Sequence, residues 1–452
     1  MNIETIIRGI FGILLILGIA FLFSNNKRKI NWRLVSIGLG MQLFFAIFII
    51  HGARMGSWFF ILGWPKKAVE LLGGVVTKLL IFIGEGSKFV FGVLSYAPGT
   101  KGSLGYFFAF NALPTIIFFA ALTAVLYYLG ILQAVVKGMA WLMARLLGTS
   151  GAESLSNTAN IFLGQTEAPI LIRPYIATMT QSELYTIMVG GMATVSGGVM
   201  AIYVQLLGSS MAEAQGITVA AAQLKFAVHL ITASVMAAPA SLVIAKILYP
   251  ETETPQTKGV VKVKVEKGGS NIIEAAANGA SDGLKLALNV GAMLIVFIAF
   301  IYLFNFLLEG AGSLLGVNTW LMAKFGKPLS MELILGLILK YIAIGIGVPA
   351  KDALTFGSLF GTKVVLNEFV AYIGLTDIVK AGAMSEKGIT MATFALCGFA
   401  NFSSIAIQVG GISPMAPERK KDIAALGLKA VLGGSLVTLL TAALAGILIH
   451  SA

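Results

Sequence analysis

The sequence predicts an all-α polytopic membrane protein with about eight spanning helices. Three observations carry that prediction. First, 57% of the 452 residues are apolar, only 12% are charged, and the mean hydropathy is +0.90, whereas a soluble domain carries about 25% charged residues. Second, apolar stretches of roughly 20 residues, each long enough to cross a bilayer, recur from end to end. Third, the basic links between them fall on one side when the spans are counted alternately. At about 150 residues per soluble domain, the length would suggest three domains. The hydropathy replaces them with one membrane body.

The spans fall near Ile6–Phe23, Leu34–Ile50, Tyr106–Tyr128, Ile187–Leu207, Phe226–Leu248, Leu286–Leu308, Thr390–Val409 and Leu426–Ile449. Met1–Phe23 has no cleavage site ahead of its basic flank and is expected to be a retained span rather than a signal peptide. The links Lys27-Arg28-Lys29 with Arg33, Lys258–Lys267 and Arg419-Lys420-Lys421 share one side. By the positive-inside rule that side is cytoplasmic and both termini lie outside. Lys66–Lys101 is broken by Lys66, Lys67, Glu70, Lys78, Glu85 and Lys88, so a helix lying along the interface is expected there. Ile131–Leu147, with Lys137 and Arg145, has the same character.

The net charge of +12 invites a nucleic-acid reading. The basic residues form no stripe on a soluble face, however, and many sit in short interspan links, so no nucleic-acid partner is expected. The single cysteine, Cys397, lies in an apolar run and cannot form an intrachain disulfide. His51, His229 and His450 are far apart, and neither HExxH nor CxxC occurs. A metal enzyme therefore has little support.

The polar stretch Pro250–Ser270 divides the chain into two parts with related plans. In the first, Gly164-Gln165-Thr166-Glu167-Ala168-Pro169 interrupts an apolar region, and about 29 residues after Glu167 a span is broken by Ser196-Gly197-Gly198. In the second, Asn367-Glu368-Phe369 closes the region Met331–Tyr372. About 33 residues after Glu368 a span is broken by Asn401-Phe402-Ser403-Ser404. Paired interruptions at corresponding positions are what an inverted-repeat transporter leaves in sequence.

Glu167 and Glu368 are the principal candidates, because a carboxylate at membrane depth is costly unless it meets a polar cavity or a partner. An edge position or an ion pair, with Lys363 close in sequence to Glu368, is the plainer alternative. Gly164 and Pro169 favour an unwound tip whose backbone groups need partners that lipid cannot supply. Asn401, Ser403 and Ser404 next to Gly398 favour a broken helix lining a site, with Phe399 either packing or forming an apolar wall. Asn160 and Thr194 could offer neutral oxygens to a hard cation, although helix capping explains Asn160 as well. Gln165 both donates and accepts. Together these groups suit a substrate with amide-like edges, hydroxyls and an apolar face. The lack of an inward Arg cluster argues against a phosphorylated one.

At GQTEAP, NEFVAY and CGFANFSSIAI the chain resembles the concentrative nucleoside transporter family, bacterial branch, from about Asn160 to Ala445, including PETETPQ. The first 100 residues match mainly in hydropathy. The resemblance implies a homotrimer in the inner membrane, with a scaffold and a moving transport domain, two re-entrant hairpins and interfacial helices. It implies that Gln165, Thr166 and Glu167 contact the nucleobase and that Val199 packs on it. Glu368, Asn401 and Ser404 would hold the ribose hydroxyls, with Phe399 alongside. Sodium would be bound by the side chains of Asn160 and Thr194 and the carbonyls of Leu163 and Val195. Sodium-coupled bacterial members carry serine at Thr194, and the hydroxyl is kept here.

The expected division is 1–130 scaffold helices and interfacial helix, 131–250 first half of the transport domain, 251–285 cytoplasmic connector, 286–308 scaffold helix, and 309–452 second half. The expected function is sodium-coupled nucleoside import by alternating access, with no covalent step and no cofactor. The rivals are proton coupling through Glu167 or Glu368, an intramembrane enzyme using the two glutamates, and a channel or receptor.

Overall fold

A computed structural model describes residues 3–57, 60–96, 102–258 and 269–448. Lys101, His450, the chain ends and the basic link beyond Lys258 lie outside the described residues. Among the described residues the architecture is helical, with one isolated β-bridge between Ser150 and Lys258.

The N-terminal helices are α1 (Ile3–Leu22), α2 (Trp32–Ile50) and α3 (Trp64–Phe91). The first two are spans, as expected. In α3 the buried positions Val69, Gly73, Thr77, Leu80, Ile83 and Ser87 recur every three or four residues. This makes a narrow stripe that packs on a later span, while Lys67, Glu70, Lys78, Glu85 and Lys88 stay exposed. Next come α4 (Leu113–Tyr128) and α5 (Ile131–Leu147), the latter with its own buried stripe Leu132, Val136, Ala140, Met143 and Leu147.

The first hairpin begins with α6 (Gly151–Ala159), whose capping box pairs Ser150 with Glu153, satisfying two orphan N–H groups. After an irregular tip the chain enters α7 (Gln181–Ala193), breaks, and continues as α8 (Gly197–Gln215) and α9 (Val219–Leu248). The sixth predicted span, Leu286–Leu308, is part of a longer helix, α10 (Ile272–Leu314). Its first turns occupy residues 272–285, which were expected in the connector. The small residues Ala275, Gly279, Gly283 and Ala287 on its buried face bring it against α4, where close backbone approach supplies the contact that lipid-phase helices need.

The second hairpin is α11 (Met331–Gly345) packed on α12 (Ala353–Val365), followed by α13 (Glu368–Lys380). The seventh predicted span, Thr390–Val409, is two short helices, α14 (Glu386–Leu396) and α15 (Phe402–Ile412), separated by an irregular stretch. Seven helical stretches in the described residues are long and apolar enough to cross a membrane. The eighth crossing is this broken pair, neither half of which is long enough alone. The last helix, α16 (Lys420–Leu448), is buried along most of its length.

α16 and α9 form the centre. α7, α14, α15 and α1 pack on α16, and α2 packs on α9. Helices α1 and α2, which lie within the 1–130 segment, pack on these two central helices, whereas α4 and α10 pair with each other.

A buried ionic clasp fixes the base of the first hairpin. Lys246 Nζ lies 2.8 Å from Glu153 Oε2 and 3.3 Å from Glu251 Oε2, and donates to Ser182 Oγ at 2.9 Å. Gly151 N–H donates to Thr257 O at 2.9 Å. Together these contacts tie α6 and α7 to the end of α9 and the segment after it. Removing one partner of such a pair costs about 3–5 kcal/mol, because the other charge is left buried alone.

Candidate functional site: two crossed helix breaks

The two breaks in the helices meet. α7 ends at Ala193, and Thr194 is extended (φ −130°, ψ 168°). α14 ends at Leu396, and Asn401 is extended (φ −147°, ψ 166°). Phe399 N–H donates to Thr194 O at 3.3 Å. Gly398 permits the crossing, since a Cβ there would lie 2.8 Å from Met192 O and 3.0 Å from the Ala193 carbonyl carbon.

The tip of the first hairpin closes over this crossing. Phe162 O accepts from Gly197 N–H at 3.1 Å, anchoring the tip at the start of α8. Gln165 is buried and its Nε2 donates to Ser404 Oγ on α15 at 3.1 Å, while its Oε1 has no partner. Thr166 packs against Gly411, where a Cβ would come within 2.4 Å of Thr166 Cγ2. The Glu167 carboxylate folds over Gly164, whose missing Cβ would sit 2.1 Å from Oε2. Glu167 is solvent-accessible although Leu163, Gly164, Gln165, Ala168 and Pro169 around it are buried.

From the other half comes a buried carboxylate. Asn367 caps α13 by accepting from Val370 N–H at 2.9 Å, which leaves Glu368 in the first turn pointing into the molecule. Its Oε1 accepts from Tyr203 OH at 3.1 Å and its Oε2 from Asn401 Nδ2 at 3.0 Å. Asn401 Oδ1 in turn accepts from Ser404 N–H at 2.8 Å and Ser403 Oγ at 2.7 Å. One polar chain therefore runs from Tyr203 through Glu368, Asn401 and Ser404 to Gln165. Val199, one turn before Tyr203 on α8, is buried, and Phe399 is half-buried. The ion pair between Glu368 and Lys363, the plainer alternative for this carboxylate, is not formed. Lys363 Nζ donates instead to Ala395 O at 2.8 Å and Thr438 Oγ1 at 3.0 Å.

The residues expected to hold a cation sit beside the same crossing. Asn160 is fully buried, and neither Oδ1 nor Nδ2 has a partner. Its side chain thus caps no helix, and a buried orphan amide of this kind is where an ion or an ordered water is accommodated. The Thr194 hydroxyl donates to Gly190 O at 3.1 Å, which leaves its lone pairs open. Leu163 and Val195 are buried in irregular backbone. This neutral oxygen set fits a small hard monovalent cation. No group of three or more His, Cys, Asp or Glu suited to a metal ion occurs among the described residues.

Sequence reasoning missed two residues. Tyr203 donates to Glu368 and stacks on Tyr372 at 4.0 Å between ring centroids. Its signal was its place one turn after Val199 on the same helix face. Gln408 donates to Met188 O at 2.9 Å and leaves its Oε1 without a partner. It lies one turn after Ser404.

A model described as Na+ dependent nucleoside transporter C-terminus matches residues 229–446, and its N-terminal counterpart matches 11–94. A nucleoside recognition (Gate) model matches 109–210. The solved structure of CNTnw in an inward-facing substrate-bound state superposes with a TM-score of 0.82 at 38% identity, covering 98% of this chain and 99% of that one. This chain belongs to the concentrative nucleoside transporter family. The uncharacterized transporter YutK of Bacillus subtilis (strain 168) is 44% identical over 98% of this chain and 99% of its own length. Sodium/nucleoside cotransporter 1 of Mus musculus is 38% identical over 97% of this chain and 63% of its own length. An outward-facing CNTnw variant gives a TM-score of 0.85 at 37% identity, so the likeness covers structures in opposite states of access. The concentrative nucleoside transporters are transporters, not enzymes, which sets the enzyme reading aside.

Proposed function

We propose that this chain is a sodium-coupled nucleoside importer of the bacterial cytoplasmic membrane that works by alternating access. One observation carries the proposal: an orphan buried amide, Asn160, sits on the same hairpin tip as Gln165, which is wired to Glu368 through Ser404 and Asn401. Sodium would be held by the side chains of Asn160 and Thr194 and the carbonyls of Leu163 and Val195. The nucleobase would meet Gln165, Thr166 and Glu167 and pack on Val199. The ribose hydroxyls would meet Glu368, Asn401 and Ser404, beside Phe399. Leu163 is two residues before Gln165, so an ion fixing Leu163 O orders the group that reads the base. Such coupling is typically about 1–3 kcal/mol and acts equally in both directions.

The scaffold proposed here is α4 with α10, and the transport domain comprises both hairpins, the two broken helices, α9 and α16. Helices α1 and α2 are placed with the transport domain because of their packing. A homotrimer is proposed on family grounds. The apolar face of α10, with Ile295, Tyr302 and Phe306 each 74% exposed, leaves room for lipid or neighbouring protomers. The test is reciprocal binding to purified protein. Sodium should raise uridine affinity by the same factor by which uridine raises sodium affinity. Independence of the two ligands would sink the proposal.

A further inference from the structure

Lys363 is the one fully buried lysine of the second hairpin. It lies near the end of α12, and no carboxylate forms an ion pair with it. Its surroundings supply the acceptors that an ammonium needs. In an unbroken α14, the Ala395 carbonyl would accept from the Phe399 N–H. That N–H goes to Thr194 O instead, and the Lys363 ammonium takes the vacated carbonyl. Thr438 Oγ1 donates to Ser435 O at 3.1 Å and so turns a lone pair to the ammonium. The Phe360 ring lies 5.2 Å away. One backbone carbonyl at the end of a half-helix plus one hydroxyl is the donor set a bound monovalent cation uses.

The first half presents the matching geometry without a charge. α7 also ends in a break, with a threonine hydroxyl at its C-terminus and the neutral Asn160 arriving from its hairpin. Each half-helix C-terminus is a centre of negative potential. One has a covalently attached cation and the other does not. Lys363 also lies one turn before the Glu368 segment, and Ala395 lies six residues before Asn401 in the sequence. Its bond to Ala395 O therefore joins the two stretches of chain that lead to Glu368 and to Asn401, and its bond to Thr438 anchors that junction on α16.

We infer that Lys363 is a tethered cation. Its ammonium fills, in the second half, the position that a free ion would fill in the first, and it holds Glu368 and Asn401 in register so that the site needs only one exchangeable cation. Lys363 is a positioning residue. Its role in nucleoside binding rests on the function proposed above, while its role as a replaceable cation does not.

The test compares Lys363→Ala, which leaves a cavity, with Lys363→Met, which fills it. Uridine affinity and thermal unfolding are measured with methylammonium, sodium or choline chloride present. Lys363→Ala should lose uridine affinity by about tenfold or more, the scale of one charge-assisted contact. Methylammonium or added sodium should restore affinity and raise the unfolding temperature, and the sodium dependence should become steeper. Lys363→Met should be weakened without rescue, and wild-type protein should not respond to methylammonium. Folded Lys363→Met with wild-type affinity and sodium dependence would overturn the inference. So would Lys363→Ala that responds to neither cation. If neither variant folds, Thr438→Val removes one of the two ammonium acceptors. A several-fold loss of uridine affinity is then expected, and unchanged affinity overturns the inference. Should wild-type protein not bind uridine, the nucleoside reading fails separately, and the unfolding measurements still decide the Lys363 role.

Discussion

Tyr203→Phe is the sharpest test of the polar chain. It removes one oxygen and nothing else. The Phe ring keeps the stack on Tyr372 at 4.0 Å and the edge contact with Phe369 at 5.4 Å. What is lost is the 3.1 Å bond to Glu368 Oε1, leaving Asn401 Nδ2 at 3.0 Å as the carboxylate's remaining side-chain donor. A hydrogen bond to a charged group contributes about 1.5–3 kcal/mol. With the carboxylate less firmly aimed, riboside affinity should fall by roughly 10- to 100-fold, at about 1.4 kcal/mol per decade. Affinity for free uracil, which has no ribose hydroxyls, should fall less. Tyr372→Phe is the control: its hydroxyl donates to Thr393 O at 2.7 Å and not to Glu368. It should cost stability on the order of 1 kcal/mol and leave riboside affinity alone. Titration calorimetry of the purified protein reads both variants. Wild-type uridine affinity in Tyr203→Phe, or equal losses in the two variants, would refute the reasoning.

Glu368→Gln should weaken ribosides more than free bases, because a neutral amide gives up charge-assisted acceptance and turns a donor towards Asn401 or Tyr203; competition binding with uridine and uracil checks this. Asn160→Ala should raise the sodium needed for half-maximal uptake while leaving saturated uridine affinity nearer to wild type, as read by uptake over a sodium series. Gly398→Ala should abolish transport, since its Cβ would press on Met192 O at 2.8 Å and the crossed breaks would have to separate; uptake by a variant shown to be folded decides it. Lys246→Met should lower stability by about 3–5 kcal/mol by stranding Glu153 and Glu251, measurable as a fall in unfolding temperature.

Much of this was legible in the sequence because a membrane simplifies the code. Apolar length reports spans directly, and polar residues inside them stand out against a uniform background. GQTEAP and CGFANFSS therefore mark the hairpin tip and the second break. Three features were hidden for physical reasons. The start of α10 carries Glu274, Asp282 and Lys285, so hydropathy placed that helix too late. Lys363 looked like a partner for Glu368 because the two are close in sequence. The turn at Leu366–Asn367 and the vacated Ala395 carbonyl, which redirect it, are tertiary facts. Tyr203 sits in an apolar span where a tyrosine is usually packing, and only the arrival of α13 gives its hydroxyl a partner. The packing of α1 and α2 on α16 and α9 likewise rests on contacts between distant parts of the chain.

The most direct measurement of the central claim is radiolabelled uridine uptake into proteoliposomes at constant pH, with an inward sodium gradient set against an equal potassium gradient. The account predicts accumulation above the external concentration with sodium alone, and its loss when the sodium gradient is collapsed. Accumulation driven equally by potassium, or only by an imposed proton gradient, would contradict it.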